Sequence, residues 1–315
     1  MNNSENQRNP ISPNSFKAWI RLARIPFLTA TIIPVILGAV IAWTSLGAFN
    51  PAYFALTLAG AMCLHLGTNI INDYFDFRSG CDAINTEALS PISGGSRVLL
   101  ENLVKPQSAY FAALSFFGLA TVIGTILSVI IGWWVLLLGG IGVISGYFYV
   151  TQLAPRGFGE LIVGLNFGPL MVLGSYYVQT QQLAFAPFFA SIPVGLLITA
   201  ILWINEIPDY TADKAVGKKT LVVRVGRKRA ADLYSFIVLG AYAWLVGMVI
   251  LRQMPLVSLV VLFTLPLAVK AVKVARKHYE ASRLMVAANL TTIQTQLFFG
   301  ILMIVAYVLS YFLPL

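Results

Sequence analysis

Acidic and amide residues recur at helical spacing in one short segment of the chain. Asn69, Asn72, Asp73 and Asp76 stand at relative positions 0, 3, 4 and 7, and Asp82 follows soon after. At about 100° per residue, the first four side chains share one face of a helix. Like charges one turn apart destabilise a helix. A face of this kind therefore predicts that a cation compensates the carboxylates.

A second acidic cluster repeats the pattern later in the chain. Glu206, Asp209 and Asp213 stand at relative positions 0, 3 and 7, again on one helix face. Segments 72–77 and 205–210 both read Asn, acid, two residues, Asp, aromatic. The match indicates two equivalent helices that each bring carboxylates to one site.

The ligand types in both clusters favour a hard cation. Mg²⁺ prefers oxygen ligands and typically takes one or two carboxylates together with substrate phosphates. No pattern of His or Cys accompanies the acids, which argues against zinc or copper. We therefore predict a Mg²⁺ site that also holds a phosphate-bearing substrate.

Basic and small residues follow each acidic cluster. Segment 93–97 reads Ser-Gly-Gly-Ser-Arg, and segment 217–220 reads Gly-Lys-Lys-Thr. Small residues allow a backbone to approach an anion closely, and Lys and Arg bind phosphate oxygens. The predicted anion-binding residues are Arg97, Lys218, Lys219 and Arg224.

The elements that position these residues are membrane-spanning helices. The chain has 315 residues, of which 58% are hydrophobic and 10% charged. A soluble domain carries about 25% charged residues, so this chain belongs in a bilayer, where a span needs about 20 apolar residues. The predicted spans cover residues 26–45, 52–72, 108–131, 133–152, 159–179, 184–205, 231–251, 255–273 and 290–313.

The distribution of basic residues predicts the orientation of these spans. Of the 21 Lys and Arg residues, only Arg252 falls on one side, and the other 20 fall on the opposite side. Positive residues concentrate in cytoplasmic loops, so the N-terminus is predicted to be cytoplasmic, in the inner membrane. The net charge of +9 then needs no nucleic-acid partner.

Residues 1–16 are predicted to be a disordered cytoplasmic tail, and residues 17–315 are predicted to form a single transmembrane domain.

The membrane topology also places the two acidic clusters. Four spans separate them, and an even number of spans returns the chain to the same face, which is a parallel repeat. Both clusters therefore lie at the same depth on the cytoplasmic side, where the two long connections, 73–107 and 206–230, also fall. Function is expected there.

The two motifs together resemble those of the UbiA superfamily of membrane prenyltransferases. The matching residues are Asn72-Asp73-x-x-Asp76 with Asp82, and Asp209-x-x-x-Asp213 followed by Gly-Lys-Lys-Thr-Leu. Many members carry a third Asp where this chain has Gly80, and here the acid comes two residues later. That spacing resembles the branch that prenylates 1,4-dihydroxy-2-naphthoate in menaquinone synthesis.

The resemblance implies a fold and a set of ligands. It implies nine helices around a central cavity, with the acidic motifs at its cytoplasmic mouth. Asp73 and Glu206 would support the ligands or add to them. The residues implied to hold Mg²⁺ and the diphosphate are Asn72, Asp76, Asp82, Asp209 and Asp213.

The reaction implied is the transfer of a polyprenyl group from its diphosphate to an aromatic acid. Tyr147 and Tyr149 are predicted to offer ring faces to the allylic cation. Asn166 precedes a Gly-Pro pair that predicts a kink, and it is expected to contact the acceptor, while Asn69 and Glu206 are expected to line the substrate site. Two alternatives stay open: a prenyltransferase for 4-hydroxybenzoate or another phenol, and a cation transporter, which the one-sided placement of the acids disfavours. The sequence leaves the oligomeric state open.

Overall fold

The computed structural model describes residues 11–89 and 93–313, and every regular element in this part of the chain is a helix. We number the α-helices in chain order. They are α1 (Phe16–Leu22), α2 (Thr29–Leu46), α3 (Pro51–Ser79), α4 (Cys81–Ile84), α5 (Pro106–Ile131), α6 (Trp134–Phe148), α7 (Gly159–Leu165), α8 (Met171–Thr180), α9 (Phe185–Ala215), α10 (Leu221–Val225), α11 (Arg227–Ile250), α12 (Leu265–His278) and α13 (Ser282–Phe312).

Nine helical segments of the described chain are long and apolar enough to cross a membrane. Some spans combine several elements. The fifth span joins α7 and α8 through a π-helical turn, Asn166–Leu170, which contains Pro169. The eighth begins as a 3₁₀ segment, Leu256–Thr264, and continues as α12. The prediction of an all-α, multi-pass membrane protein with nine transmembrane helices is confirmed.

The helices extend further than the apolar stretches that predict them. Helix α3 continues to Ser79 and α9 to Ala215, seven and ten residues past the predicted ends, and α13 begins at Ser282 instead of 290. Hydropathy falls where polar side chains begin, but backbone hydrogen bonding continues. Helix α3 ends at Gly80 in the left-handed region, at φ 77°. Both acidic clusters therefore lie inside regular helices, and their side chains keep the predicted common faces.

The main core lies between α2, α9, α11 and α13. Leu37, Ile204, Tyr234 and Phe299 are among its fully buried side chains. Within the bilayer such helices associate by close packing at small residues. The fifth span and α9 meet at Gly195, where an added Cβ would lie 2.6 Å from the carbonyl oxygen of Gly164. This contact holds α9, which carries the second acidic cluster, against the fifth span.

The structure describes only part of the predicted N-terminal tail, residues 1–16. Residues 1–10 lie outside the described residues, and helix α1 begins at Phe16. The disordered tail and the single domain that follows it stay predictions.

Candidate active site

A cavity of about 430 Å³ lies inside the helix bundle. Arg24, Asn69, Asn72 and Asn205 line it near the end of the bundle that carries the acidic clusters, which we call the acidic end. From there the wall descends along α3 to Leu56. Those sixteen residues of α3 correspond to about 24 Å of helix. Most of the wall is apolar, so the cavity suits a long apolar molecule with a polar group at the acidic end.

The two acidic clusters face each other across one lysine. The Nζ atom of Lys218 lies 3.4 Å from Oδ1 of Asp76 on α3 and 3.5 Å from Oδ1 of Asp213 on α9. Burial alone would lower the pKa of Lys218, but the carboxylates of Asp76 and Asp213 raise it well above its ordinary value. Lys218 thus places a positive charge between the acidic clusters of the two helices.

Asp209 is held by the connection that follows α4. Its Oδ1 accepts a hydrogen bond from Nδ2 of Asn85 at 2.8 Å, and its Oδ2 accepts one from the backbone N–H of Gly94 at 3.0 Å. A Cβ at Gly94, which has φ +70°, would lie 2.3 Å from Cβ of Ala88. The backbone of Gly94 therefore approaches the Asp209 carboxylate closely, and the approach of this segment to a substrate phosphate stays a prediction.

Asp73 anchors two segments to α3. It accepts hydrogen bonds from the guanidinium of Arg24 and, at 3.0 Å, from the backbone N–H of Ser96. Arg24 itself adopts a left-handed backbone conformation, at φ 51°, which is uncommon for a residue other than glycine. The chain before α2 and the connection before α5 are thus both fixed to the first acidic cluster.

Asp82 lies in α4 and is 5% exposed. Burial, with the neighbouring charges of Asp76 and Asp73, raises the pKa of Asp82 to about 8. A Cβ at Gly95 would lie 3.0 Å from each carboxylate oxygen of Asp82. The carboxyl group of Asp82 therefore lies between the first acidic cluster and segment 93–97.

Glu206 lies beside a second buried acid, Glu160. Oε1 of Glu160 accepts a hydrogen bond of 2.6 Å from the backbone N–H of Leu221 at the start of α10. Oε2 of each glutamate is buried and has no hydrogen-bond partner among the described residues. Glu160 thus ties the turn that carries Lys218 to the fifth span.

Only one of the four predicted anion-binding residues reaches the acidic clusters. Lys219 is exposed. Arg224 donates to the carbonyls of Lys219 and Arg156 at 2.9 and 2.7 Å, and Arg97 donates to the carbonyl of Asn85 at 3.2 Å. Turns and helix ends leave carbonyls without intrahelical partners, and these guanidinium groups satisfy them. Arg97 and Arg224 therefore stabilise loop geometry, and of the four only Lys218 contacts the acidic clusters. Binding of an anion by these residues stays a prediction.

The amide residues predicted to bind substrate all line the cavity. Asn69 donates to the carbonyl of Ala23 at 3.1 Å, and Asn166 donates to Oγ of Ser145 at 2.8 Å. Oδ1 of Asn72 is buried and has no partner among the described residues. An oxygen ligand is therefore free at the acidic end of the cavity.

The two tyrosines of the fourth span point in different directions. Tyr149 belongs to the cavity lining. Tyr147 does not belong to the lining formed by the described residues, and instead contacts Tyr110 and the ring of Phe75. Residues two apart on a helix lie about 200° apart. Of the two described rings, only that of Tyr149 lines the cavity, and contact of either ring with a substrate stays a prediction.

The comparison with known proteins identifies the family. The profile of the UbiA prenyltransferase family matches residues 31–293. The chain belongs to the UbiA prenyltransferase family. It is 32% identical over 314 residues to the 1,4-dihydroxy-2-naphthoate octaprenyltransferase of Bacillus subtilis, with 99% of this chain and 98% of that protein covered. It is also 27% identical over 299 residues to the 2-carboxy-1,4-naphthoquinone phytyltransferase of Synechocystis, with 94% of each chain covered.

Solved structures of UbiA proteins share this fold. A UbiA homolog from Archaeoglobus fulgidus bound to GPP and Mg²⁺ superimposes with a TM-score of 0.59 at 14% identity, covering 91% of this chain and 99% of that one. Digeranylgeranylglyceryl phosphate synthase gives a TM-score of 0.62 at 20% identity, covering 93% and 98%. At these identities the likeness shows a common UbiA fold.

Some residues of this UbiA site have no clear signal in the sequence. In the sequence, Arg24 is one of several basic residues beside a predicted span, and Asn85 lies in a predicted loop. Glu160 is the exception, because an acidic residue at the start of an apolar span is unusual and indicates a candidate functional residue. All three connect segments far apart in sequence, which only the folded chain reveals.

Proposed function

We propose that this UbiA prenyltransferase transfers a polyprenyl group from a prenyl diphosphate to 1,4-dihydroxy-2-naphthoate. The observation that carries the proposal is the meeting of the two acidic clusters on Lys218, where Asp76 lies one helical turn beyond Asn72, a residue that lines the polar end of the apolar cavity. The names of the relatives in Bacillus and Synechocystis support a naphthoate-type acceptor. The cavity supports an apolar donor with its diphosphate at the acidic end.

The residues of the acidic end fit Mg²⁺. No group of three His, Cys, Asp or Glu side chains in the described chain is assembled as a metal site. The ligand types are nevertheless those that Mg²⁺ prefers, and the buried, unpartnered Oδ1 of Asn72 is an oxygen donor without another role. Lys218 marks a position for positive charge. The residues proposed to hold Mg²⁺ are Asn72, Asp76, Asp82, Asp209 and Asp213.

The side chains of the site can stabilise the departure of diphosphate. Mg²⁺, when bound, neutralises negative charge that builds on the leaving group. Lys218 adds a fixed positive charge on the same side. The apolar wall excludes water, which would otherwise capture the allylic cation. The ring of Tyr149 lies in the cavity wall, where its face can stabilise that cation until the electron-rich acceptor ring attacks it.

The acidic end is proposed to face the cytoplasm. Twenty of the 21 Lys and Arg residues fall in the N-terminal segment and in the connections at that end, which follows the positive-inside rule. A soluble aromatic acid and the diphosphate group would then reach the site from the cytoplasm, while the prenyl chain would stay in the bilayer.

Mass spectrometry of the products tests the proposal. Purified protein would be given Mg²⁺, prenyl diphosphates of several lengths, and a panel containing 1,4-dihydroxy-2-naphthoate and 4-hydroxybenzoate. The expected result is a decarboxylated, prenylated naphthalene product that EDTA abolishes. Product from 4-hydroxybenzoate alone would move the chain to the other acceptor class, and no product from any pair would refute the proposal.

The two tyrosines of the fourth span form a matched pair of variants. We expect Tyr149→Leu to lower kcat about 5- to 30-fold, because the loss of a desolvated cation–π contact costs about 1–2 kcal/mol. Tyr149→Phe keeps a ring face and should retain most of the activity. Tyr147→Leu should leave kcat within about twofold, since Tyr147 packs against Tyr110 and Phe75. Equal losses in both Leu variants would contradict the assignment of Tyr149.

The raised pKa of Asp82 predicts how stability depends on pH. The pKa of this carboxyl is about 8 in the folded protein and about 3.9 when unfolded. The folded state therefore holds an extra proton between about pH 4 and 8, so that stability falls as pH rises through this window. We expect the unfolding temperature of metal-free protein to fall between pH 5 and 8.5. Asp82→Asn should reduce that fall, and an identical fall in the variant would show that Asp82 is not responsible.

A further inference from the structure

A buried glutamine in the cavity wall has no hydrogen bonds. Gln296 on α13 is 1% exposed, and it belongs to the residues that line the cavity. Neither its Nε2 nor its Oε1 has a hydrogen-bond partner among the described residues. A buried amide without partners costs about 1–3 kcal/mol. A polar partner supplied by a ligand would remove this cost.

The position of Gln296 is below the acidic end. Seven residues earlier on the same helix, Nδ2 of Asn289 donates to Oδ1 of Asn205 at 2.6 Å, and Asn205 lines the polar end of the cavity. Seven residues of helix correspond to about 10 Å. One turn beyond Gln296, a Cβ at Gly300 would lie 2.3 Å from Cγ2 of Ile33 on α2. The close approach there fixes α13 against α2 and holds Gln296 at this depth.

The chemistry of this position favours a neutral ligand group. A primary amide offers two N–H donors and one carbonyl acceptor, and a hydroxyl group both donates and accepts. The wall of the cavity that Gln296 lines is mostly apolar and includes Ala30, Ile198 and Ile293, and an anionic carboxylate would be costly among such side chains. A ring hydroxyl matches the free donor and acceptor together and carries no charge.

Two other polar side chains of the cavity wall already have hydrogen-bond partners. Nδ1 of His65 lies 2.7 Å from Oγ1 of Thr31, with which it shares a hydrogen bond. Asn166 is paired with Ser145. Gln296 is thus a cavity-lining amide that leaves both its donor and its acceptor without a partner in the described structure.

We propose that Gln296 is a specificity-determining residue that hydrogen-bonds a neutral hydroxyl group of the aromatic acceptor. The proposal rests on the proposed function, because it needs a hydroxylated aromatic ring in this cavity. It adds a specific contact on α13, outside both acidic motifs, which selects hydroxylated acceptors over rings that lack the hydroxyl.

Inhibition by acceptor analogues tests this contact in the full-length purified protein. The probes are 1-hydroxy-2-naphthoate, 4-hydroxy-2-naphthoate and 2-naphthoate, which lack one or both hydroxyls of 1,4-dihydroxy-2-naphthoate. In the wild type, removal of the hydroxyl bound by Gln296 should raise the inhibition constant about 10- to 100-fold. In Gln296→Met, which keeps volume and loses hydrogen bonding, the same removal should change it by less than about threefold. The KM for the prenyl diphosphate should stay within about twofold.

Two further variants keep the test decisive. Gln296→Asn retains an amide on a side chain that is one methylene shorter, so the preference for the hydroxylated analogue should weaken in this variant too. This variant tests the contact even if Gln296→Met folds poorly. Thr292→Val removes the hydrogen bond of 2.6 Å between the buried Thr292 and Tyr234, and it should lower the unfolding temperature without changing the preference.

The outcomes separate the contact from the reaction. An unchanged preference in both Gln296 variants, or a preference lost equally in Thr292→Val, would overturn the assignment of Gln296 while leaving the prenyl transfer intact. Absence of prenylated product from the wild type would instead refute the proposed function.

Discussion

Asp76→Asn and Asp209→Asn should each lower kcat/KM for prenyl transfer about a thousandfold. Each variant removes one negative charge from a different helix while keeping the side-chain volume. Asp76 contacts Lys218 from α3, and Asp209 accepts two hydrogen bonds on α9. Loss of one group that positions a charge at a developing anion costs about 10²- to 10³-fold in rate, and a weakened metal site adds to that loss. Release of diphosphate in Mg²⁺-containing assays measures the effect.

Folding must be separated from chemistry in these variants. Asp232→Asn is the matched control, because Asp232 lies on α11, is 44% exposed and pairs with Arg276 at 3.0 Å. An exposed ion pair contributes about 0–1 kcal/mol, so this variant should keep full activity. Unfolding temperatures of the three variants should stay close to that of the wild type. Full turnover by Asp76→Asn or Asp209→Asn, or by EDTA-treated wild type, would refute the metal-assisted site.

The architecture follows from local properties of the sequence. Apolar length specifies each span, helical spacing puts carboxylates on one face, and the even number of spans between the two motifs brings them to one side. The first two properties depend only on residues within a few turns of each other, and the third needs only the number of spans. The meeting of Asp76 and Asp213 on Lys218 is what the repeat of the motif predicts.

The partners of the loop residues could not be derived in the same way. Arg97, Lys219 and Arg224 satisfy the pattern of an anion site, yet two of them satisfy backbone carbonyls and one is exposed. Whether a long basic side chain reaches a carbonyl or a phosphate depends on how the connections fold, and composition does not encode that. The donors of Asn85 and Gly94 to Asp209 arise from the same folding.

The choice between Tyr147 and Tyr149 shows a second limit. Both belong to one span, and only the rotation of that span decides which ring faces the cavity. Tyr149 opens a π-helical turn, Tyr149–Leu153, which departs from the regular spacing that pattern arguments assume. Gln296 is distinguished by its burial and its missing partners, and both depend on the folded chain.

Lys218→Met should change the requirements for metal and for donor in opposite directions. Nζ of Lys218 lies within 3.5 Å of carboxylates from both helices, so Mg²⁺ bound at the proposed site would displace this amine from at least one of them. Without the lysine, less Mg²⁺ should give half-maximal activity. The donor diphosphate loses a charged hydrogen-bond partner worth about 1.5–3 kcal/mol, so KM for the prenyl diphosphate should rise about 10- to 100-fold. Lys219→Met is the matched control, because the side chain of Lys219 is next in sequence and exposed. In this variant the Mg²⁺ requirement and the KM for the prenyl diphosphate should both stay within about twofold of the wild type. Equal behaviour of the two variants would show that Lys218 only balances charge in the metal-free protein. Opposite shifts confined to Lys218→Met would show that the Lys218 amine links the two helices before the metal binds and contacts the diphosphate afterwards.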